Sequence, residues 1–61
     1  MADEVLLTCE EAARRLMVGR TFLYTMIQSG ELKSLKLGRS RRILATDLIE
    51  FAQRKAQEAG S

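Results

Sequence analysis

The stretch TCEEAARRLMVGRTFLYTMIQSG, residues 8–30, decides the fold, because within it an apolar helical period starts, breaks and starts again. Thr8-Cys9-Glu10-Glu11 has the spacing of a capping box: the Thr8 hydroxyl accepts from the Glu11 backbone N–H, and the Glu11 carboxylate reaches back to that of Thr8. A helix should begin here. Leu7 and Ala12 are placed as a hydrophobic staple, and Ala12, Ala13 and Leu16 share one face, with Arg14 and Arg15 largely outside it. The helix should end near Met17, where Val18-Gly19 breaks the pattern. From Arg20 to Gln28 a second period sets Leu23, Met26 and Ile27 on one side. At about 100° per residue the opposite side centres on Thr25, with Thr21 and Gln28 close to it and Phe22 and Tyr24 flanking. Ser29-Gly30 supplies the stop, since glycine suits the left-handed conformation that closes a helix.

Beyond Lys33 the period falls to two, so a strand is expected with Leu35 and Leu37 pointing one way and Ser34 and Lys36 the other. Gly38-Arg39-Ser40 reads as a hairpin turn and Arg42-Ile43-Leu44 as a returning strand whose Ile43 joins the core. Arg39, Arg41 and Arg42 then ring the tip. A last helix is expected from about Thr46, with Asp47 in its first turn and Leu48, Phe51 and Ala52 inward, fraying beyond Ala56. Two helices crossing at about 90–120° need a small residue at the crossing, here Ala13, with Ala12, Leu16, Val18, Leu23 and Met26 filling the angle. The expected fold class is α+β, a small winged helix-turn-helix: helix, turn, helix, two-stranded β-hairpin wing and C-terminal helix. One domain should span 1–61, with an ordered core of about residues 5–56.

Size and composition narrow the function. A chain of 61 residues builds a thin core, which leaves little room for an enclosed pocket of desolvated, pKa-shifted groups, so an enzyme is not expected. With one cysteine, Cys9, and no histidine, neither an intramolecular disulfide nor a Cys/His zinc site can form; no metal or cofactor is expected. Cys9 reads as a structural thiol, since adjacent Glu10 and Glu11 oppose a thiolate and no resolving cysteine exists. Glu10, Glu11, Glu31, Asp47 and Glu50 each have a capping, turn or surface explanation in place of a catalytic one. The N-terminal MADEVLLTCEE lacks the features of a signal peptide or membrane span, and a lone thiol fits a reducing compartment, so a cytoplasmic protein is expected. The net charge is only +2, but its order is telling. Residues 1–13 carry Asp3, Glu4, Glu10 and Glu11; residues 14–42 carry eight Lys or Arg against Glu31 alone; residues 43–61 are close to neutral. A basic block between acidic flanks is an electrostatic footprint for a polyanion.

The sequence resembles the excisionase-type DNA-binding domains, relatives of the DNA-binding region of MerR-type regulators. The resemblance rests on LLTCEEAARRL, VGRTFLYTMIQSGEL and LKLGRSRRI followed by DLIEF, and it covers most of the chain. Tyr24, Ser29-Gly30-Glu31-Leu32, Gly38 and Arg42 are its most recognisable positions. Met17 stands where such domains usually place glycine, and Gly19 where a capping serine is common.

The resemblance implies a second helix in the major groove and a hairpin at the adjacent minor groove or its phosphates. The residues fit that expectation on their own chemistry. Arg20, at the N-terminus of the second helix, suits a phosphate, while Thr21, Thr25 and Gln28 offer hydroxyls and an amide to base edges. Lys36, Arg39, Ser40, Arg41 and Arg42 form the wing's contact set, against the duller reading of a solubilising tip. Tyr24 serves either as core edge or as a phosphate contact; Phe22 either covers the turn or meets a thymine methyl or a neighbouring protomer. Arg14 and Arg15 read as solvent-facing or paired with Glu10 or Glu11. The implied partners are double-stranded DNA, an integrase or other recombinase, and further copies bound cooperatively on DNA; neither membrane nor small-molecule ligand is expected. The implied role is an excisionase that binds beside an attachment site, bends DNA and directs an integrase toward excision. A small transcriptional repressor or plasmid regulator would use the same residues, and a protein-interaction adaptor would use the same surfaces without DNA.

Overall fold

In the computed structural model, which describes residues 6–60, the boundaries of the first two helices are fixed by hydrogen bonds that can be named. The order is β1 (Leu6–Thr8), α1 (Cys9–Leu16), α2 (Arg20–Gln28), β2 (Leu35–Leu37), β3 (Ser40–Leu44) and α3 (Ala45–Gly60). Asp3, Glu4, the first residue of the expected ordered core and the first five residues of the N-terminal segment weighed as a leader lie outside the described residues.

Thr8 caps α1 as its spacing requires. The Glu11 N–H donates to Thr8 Oγ1 at 3.0 Å, and the Thr8 N–H donates to Glu11 Oε1 at 3.0 Å. Those bonds to the carboxylate, first that of the Thr8 backbone, hold the Glu11 pKa below its ordinary 4.5, with Arg15 and Arg14 adding to the effect. Both helices of the pair then close by one motif. In α1 the N–H of Met17 donates to the Arg14 carbonyl and that of Val18 to the Ala13 carbonyl, each at 3.0 Å. In α2 the N–H of Gly30 donates to Ile27 at 3.1 Å and that of Glu31 to Met26 at 3.0 Å. This is the Schellman pattern, which needs a left-handed residue at the first position past the helix. Gly30 meets the need at φ 86°; Met17 meets it at φ 59°, ψ 43°, a conformation that costs an L-residue roughly 1–2 kcal/mol. Gly19, extended at φ −77°, ψ 162°, starts α2 without a side-chain cap.

The sheet has three antiparallel strands in the order β1-β3-β2, not the two of a lone hairpin. The short run of Leu6–Thr8 pairs with β3, Leu7 opposite Ile43, so the residue expected only as a staple is also a strand residue. The wing turn is Gly38-Arg39 alone, with Ser40 already paired to Leu37. Gly38 has φ 64° and Arg39 does not share a positive φ, the sign pattern of a type II′ hairpin turn. Directly paired residues share a face, so Leu35 lies with Arg42 and Leu37 with Ser40, on the face opposite to Ile43. Leu35 and Leu37 do point the same way, but away from the core, and both are exposed.

The core gathers Leu7, Cys9, Ala12, Ala13, Leu23, Leu32, Ile43, Leu48 and Phe51, with Leu16, Val18, Met26, Ile27 and Ala45 packed at its margin. Ala13 is buried between the helices, as a close crossing requires, and its carbonyl also receives the bond that ends α1. α3 begins at Ala45 and runs past Ala56 to Gly60, longer than its apolar pattern marks. Ala56 and Ala59 favour helix there, and Lys55 bridges to Glu58 one turn on at 3.3 Å.

Two outcomes follow from the caps. Met17 is 89% exposed, so Met17→Gly loses no packing while it removes the left-handed penalty. Glycine gives back about 0.5–1 kcal/mol of that in chain entropy, leaving a net gain of about 0.5–1 kcal/mol. Thermal denaturation followed by circular dichroism should show a melting point several degrees higher, roughly in line with a domain of this size. Glu11, whose folded pKa is depressed, contributes stability that is present above its unfolded value and lost as pH falls through the folded one. Glu11→Ala should therefore destabilise the fold at pH 7, and the gap to the parent chain should narrow in melts taken from pH 5 down to pH 3.

Candidate nucleic-acid interface

α2 carries the side chains expected at DNA outward because Leu23 anchors the other side of the helix in the core. Arg20, Thr21, Phe22, Tyr24, Thr25 and Gln28 are all exposed. The Thr25 hydroxyl donates to the Thr21 carbonyl at 2.8 Å, so its proton is engaged within the helix and its lone pairs are what it offers outward. Gln28 occupies the last turn, next to the closure at Gly30. The middle of this face is polar and uncharged.

The wing divides its cations between two faces. Arg41 lies directly across the ladder from Lys36, on the face it shares with Ile43, and Arg42 lies between Thr8 and Leu35 on the other. Arg41 and Arg42 thus flank the tip residue Arg39 from opposite faces, because neighbours along a strand point in opposite directions. Arg41 Nη1 donates to Ser34 Oγ at 2.7 Å, and half-buried Arg42 donates to the Arg41 carbonyl at 3.1 Å. Lys36 and Arg39 make no side-chain hydrogen bond or ion pair among the described residues. Two like charges opposed across a ladder are destabilising in the free chain, which an anion between them would relieve.

Cys9 first, and then partial burial, raise the Tyr24 pKa above its ordinary 10.0. Arg20 and Arg41 pull in the opposite direction. Tyr24 is 43% exposed, which leaves its hydroxyl accessible. Phe22, equally exposed, borders an apolar recess with Leu16, Val18, Phe51, Ala52 and Ala56, on the turn side of α2. Cys9 is buried and free of any disulfide.

Some pairings escape sequence reasoning. Glu10 pairs with Arg20 at 3.3 Å, across the turn between helices, and not with Arg14 or Arg15 at helical spacing. Both side chains are well exposed, so the pair is weak and open to exchange with another anion. At the opposite end of α2, Arg54 of α3 donates to the Glu31 carbonyl, and Lys55 pairs with the Glu31 carboxylate as well as with Glu58. The bond to Glu31, then that to Glu58, holds the Lys55 pKa above its usual 10.5. Spacing within α3 could have suggested the Lys55–Glu58 pair, but no local signal links Arg54 or Lys55 to Glu31. Among the described residues no cluster of three His, Cys, Asp or Glu side chains could hold a metal, and no helix is long and apolar enough to cross a membrane.

Two helices joined by a short turn, an outward polar face on the second and a basic wing define a small winged helix-turn-helix domain. The chain belongs to that family: residues 6–56 match the model of the helix-turn-helix domain family. Among curated proteins it is similar to one described as "Probable excisionase" from Saccharopolyspora erythraea, 46% identical over 54 residues, which make up 88% of this chain and 55% of the relative. The chain therefore spans about half the length of the curated relative it matches. No solved structure matches it.

Proposed function

We propose that this chain is a DNA-binding excisionase domain that acts as an architectural factor: it binds beside an attachment site, bends the duplex and directs an integrase toward excision. The reading is carried by one observation, the outward polar face of α2, on which Thr21, Thr25 and Gln28 are exposed, in a domain whose wing carries the exposed cations Lys36, Arg39 and Arg41. Similarity to a "Probable excisionase" over most of the chain supports it.

In this reading α2 lies in the major groove, where Thr21, Thr25 and Gln28 meet base edges. Thr25 acts as an acceptor toward exocyclic amines, and Gln28 reads adenine when both ends of its amide engage, worth about 1–3 kcal/mol of discrimination. Phe22 supplies apolar contact to a thymine methyl. Arg20 exchanges Glu10 for a phosphate at the helix N-terminus. The wing supplies most of the affinity: Lys36 and Arg41 on one face, Arg39 at the tip, and Ser40 and Arg42 on the other approach the minor groove or the flanking phosphates. Weak reading by one copy makes cooperative binding of several copies on adjacent sites the source of specificity, and the bend they stabilise brings the integrase's sites together. The chemistry of strand exchange stays with the recombinase, and the domain works in the cytoplasm, on DNA, without cofactor.

Salt is the direct test. Duplex DNA selected from a random pool for binding to the parent chain should bind with an affinity that falls steeply with salt. Replacing Arg39, Arg41 and Arg42 together with alanine should flatten the slope of log affinity against log salt by roughly 0.9 for each phosphate no longer neutralised. Lys36→Ala with Arg41→Ala should do more than Arg42→Ala alone. No binding at low salt, or a slope untouched by the triple change, sinks the wing assignment. An excision assay with integrase, run with and without the chain, separates an excisionase from a repressor.

A further inference from the structure

The segment after α2 is held from both sides. The N–H groups of Gly30, Glu31 and Leu32 all point back into the last turn of α2, Glu31 at 3.0 Å and Leu32 at 3.1 Å sharing the Met26 carbonyl. Leu32 is fully buried and fixes the segment to the core. The Glu31 carbonyl and carboxylate face the other way, to Arg54 and Lys55 of α3. Arg54 and Lys55 in turn stand over the buried Phe51 ring, at 5.8 Å and 5.9 Å from its centroid. These two cations are thus oriented by an aromatic ring in the core and converge on one residue of the connector, Lys55 also pairing with Glu58. α3 itself packs on β3 and α1, so its hold on the far end of α2 runs through Glu31.

We propose that Arg54 and Lys55 are positioning residues for DNA reading: by clamping Glu31 to α3 they set the last turn of α2, and with it Gln28, against the wing. The proposal rests on the DNA-binding reading above and assigns to α3 a part in specificity without contact to DNA. The clamp acts at the joint between reader and wing, where a small change of angle moves Gln28 relative to Arg41 while leaving each element intact. Loss of the clamp then weakens sequence-dependent contacts, which need fixed geometry, more than phosphate contacts, which tolerate displacement. Since neither cation is part of the phosphate set, the number of counterions released on binding stays the same.

The test uses the intact chain, a duplex selected from a random pool for tight binding to it, and a scrambled duplex of equal length. Arg54→Met keeps the aliphatic stem over Phe51 but removes the donor to Glu31. It should lower affinity for the selected duplex about five- to tenfold, the range for a coupling residue that does not itself touch the ligand. Affinity for the scrambled duplex and the salt slope should not change, and Arg54→Lys should restore most of the loss. Equal loss on both duplexes with a flatter slope would make Arg54 a phosphate ligand and overturn the proposal; no loss on either overturns it too. Amide exchange supplies a readout without DNA: Ser29 to Leu32 should exchange faster in the variant while the first turn of α1 does not. If Arg54→Met fails to fold, Glu31→Gln, which weakens only the Lys55 arm, should reduce the ratio of the two affinities in the same direction, and an unchanged ratio rejects the clamp. Failure of the parent chain to bind any duplex would instead reject the DNA-binding reading itself.

Discussion

Ile43 is the point on which the other elements converge. It sits in the central strand, pairs with Leu7 of β1, and is fully buried, as are Leu23 of α2 and Leu32 of the connector. Four full-sized apolar side chains, each from a different segment, meet in a core of nine residues. In so small a core the burial of one residue depends on its neighbours, so the orientation of α2 and the direction of the wing are settled together. Ile43 points into the core and Arg41, two residues earlier on the same face, points along the side of the wing that Lys36 shares. The strand that builds the core therefore aims the wing's cations. This coupling of packing to charge placement is economical for a chain of 61 residues.

Charge follows the same division of labour. The chain's net charge is small, yet its basic residues serve distinct ends. Arg54 and Lys55 are engaged at Glu31, inside the scaffold, and Arg20 is lightly held by Glu10 at the surface. Lys36 and Arg39 have no such engagement among the described residues, and Arg41 makes one neutral bond, to Ser34. A basic block in sequence is therefore not a single basic patch in space. Its members grade from paired to available, and the most available lie on the wing.

How much of this can be read from the residues depends on whether the cause is local. The capping box at Thr8 and Glu11, the left-handed Gly30 and the period of α2 are each settled within a few residues, and each is legible. The outward set on α2 follows from the same period. β1 is not legible, because a run of three residues has no alternation to display and Leu7 serves equally as a staple. Met17 is recognisable as a departure from its relatives, but nothing in the stretch around it announces that methionine takes the glycine conformation and holds it. The wing turn is one residue shorter than Gly38-Arg39-Ser40 suggests, because Ser40 already pairs with Leu37. The division of its arginines between two faces is not legible, because the register, set by β1 and the core, decides which of two neighbours faces which way. The reach of α3 to Glu31 spans 23 positions and has no sequence signal at all.

Among the described residues the sheet has two edge strands, β1 and β2, each three residues long. Edges that short, one of them carrying Lys36 at its centre, offer almost no backbone template to a neighbouring chain. Copies crowded side by side are thereby kept from zipping into a continuous ladder, so whatever association they make is left to side chains and stays reversible. In a domain this small, where so much of the backbone lies near the surface, the brevity of the strands is a safeguard against aggregation.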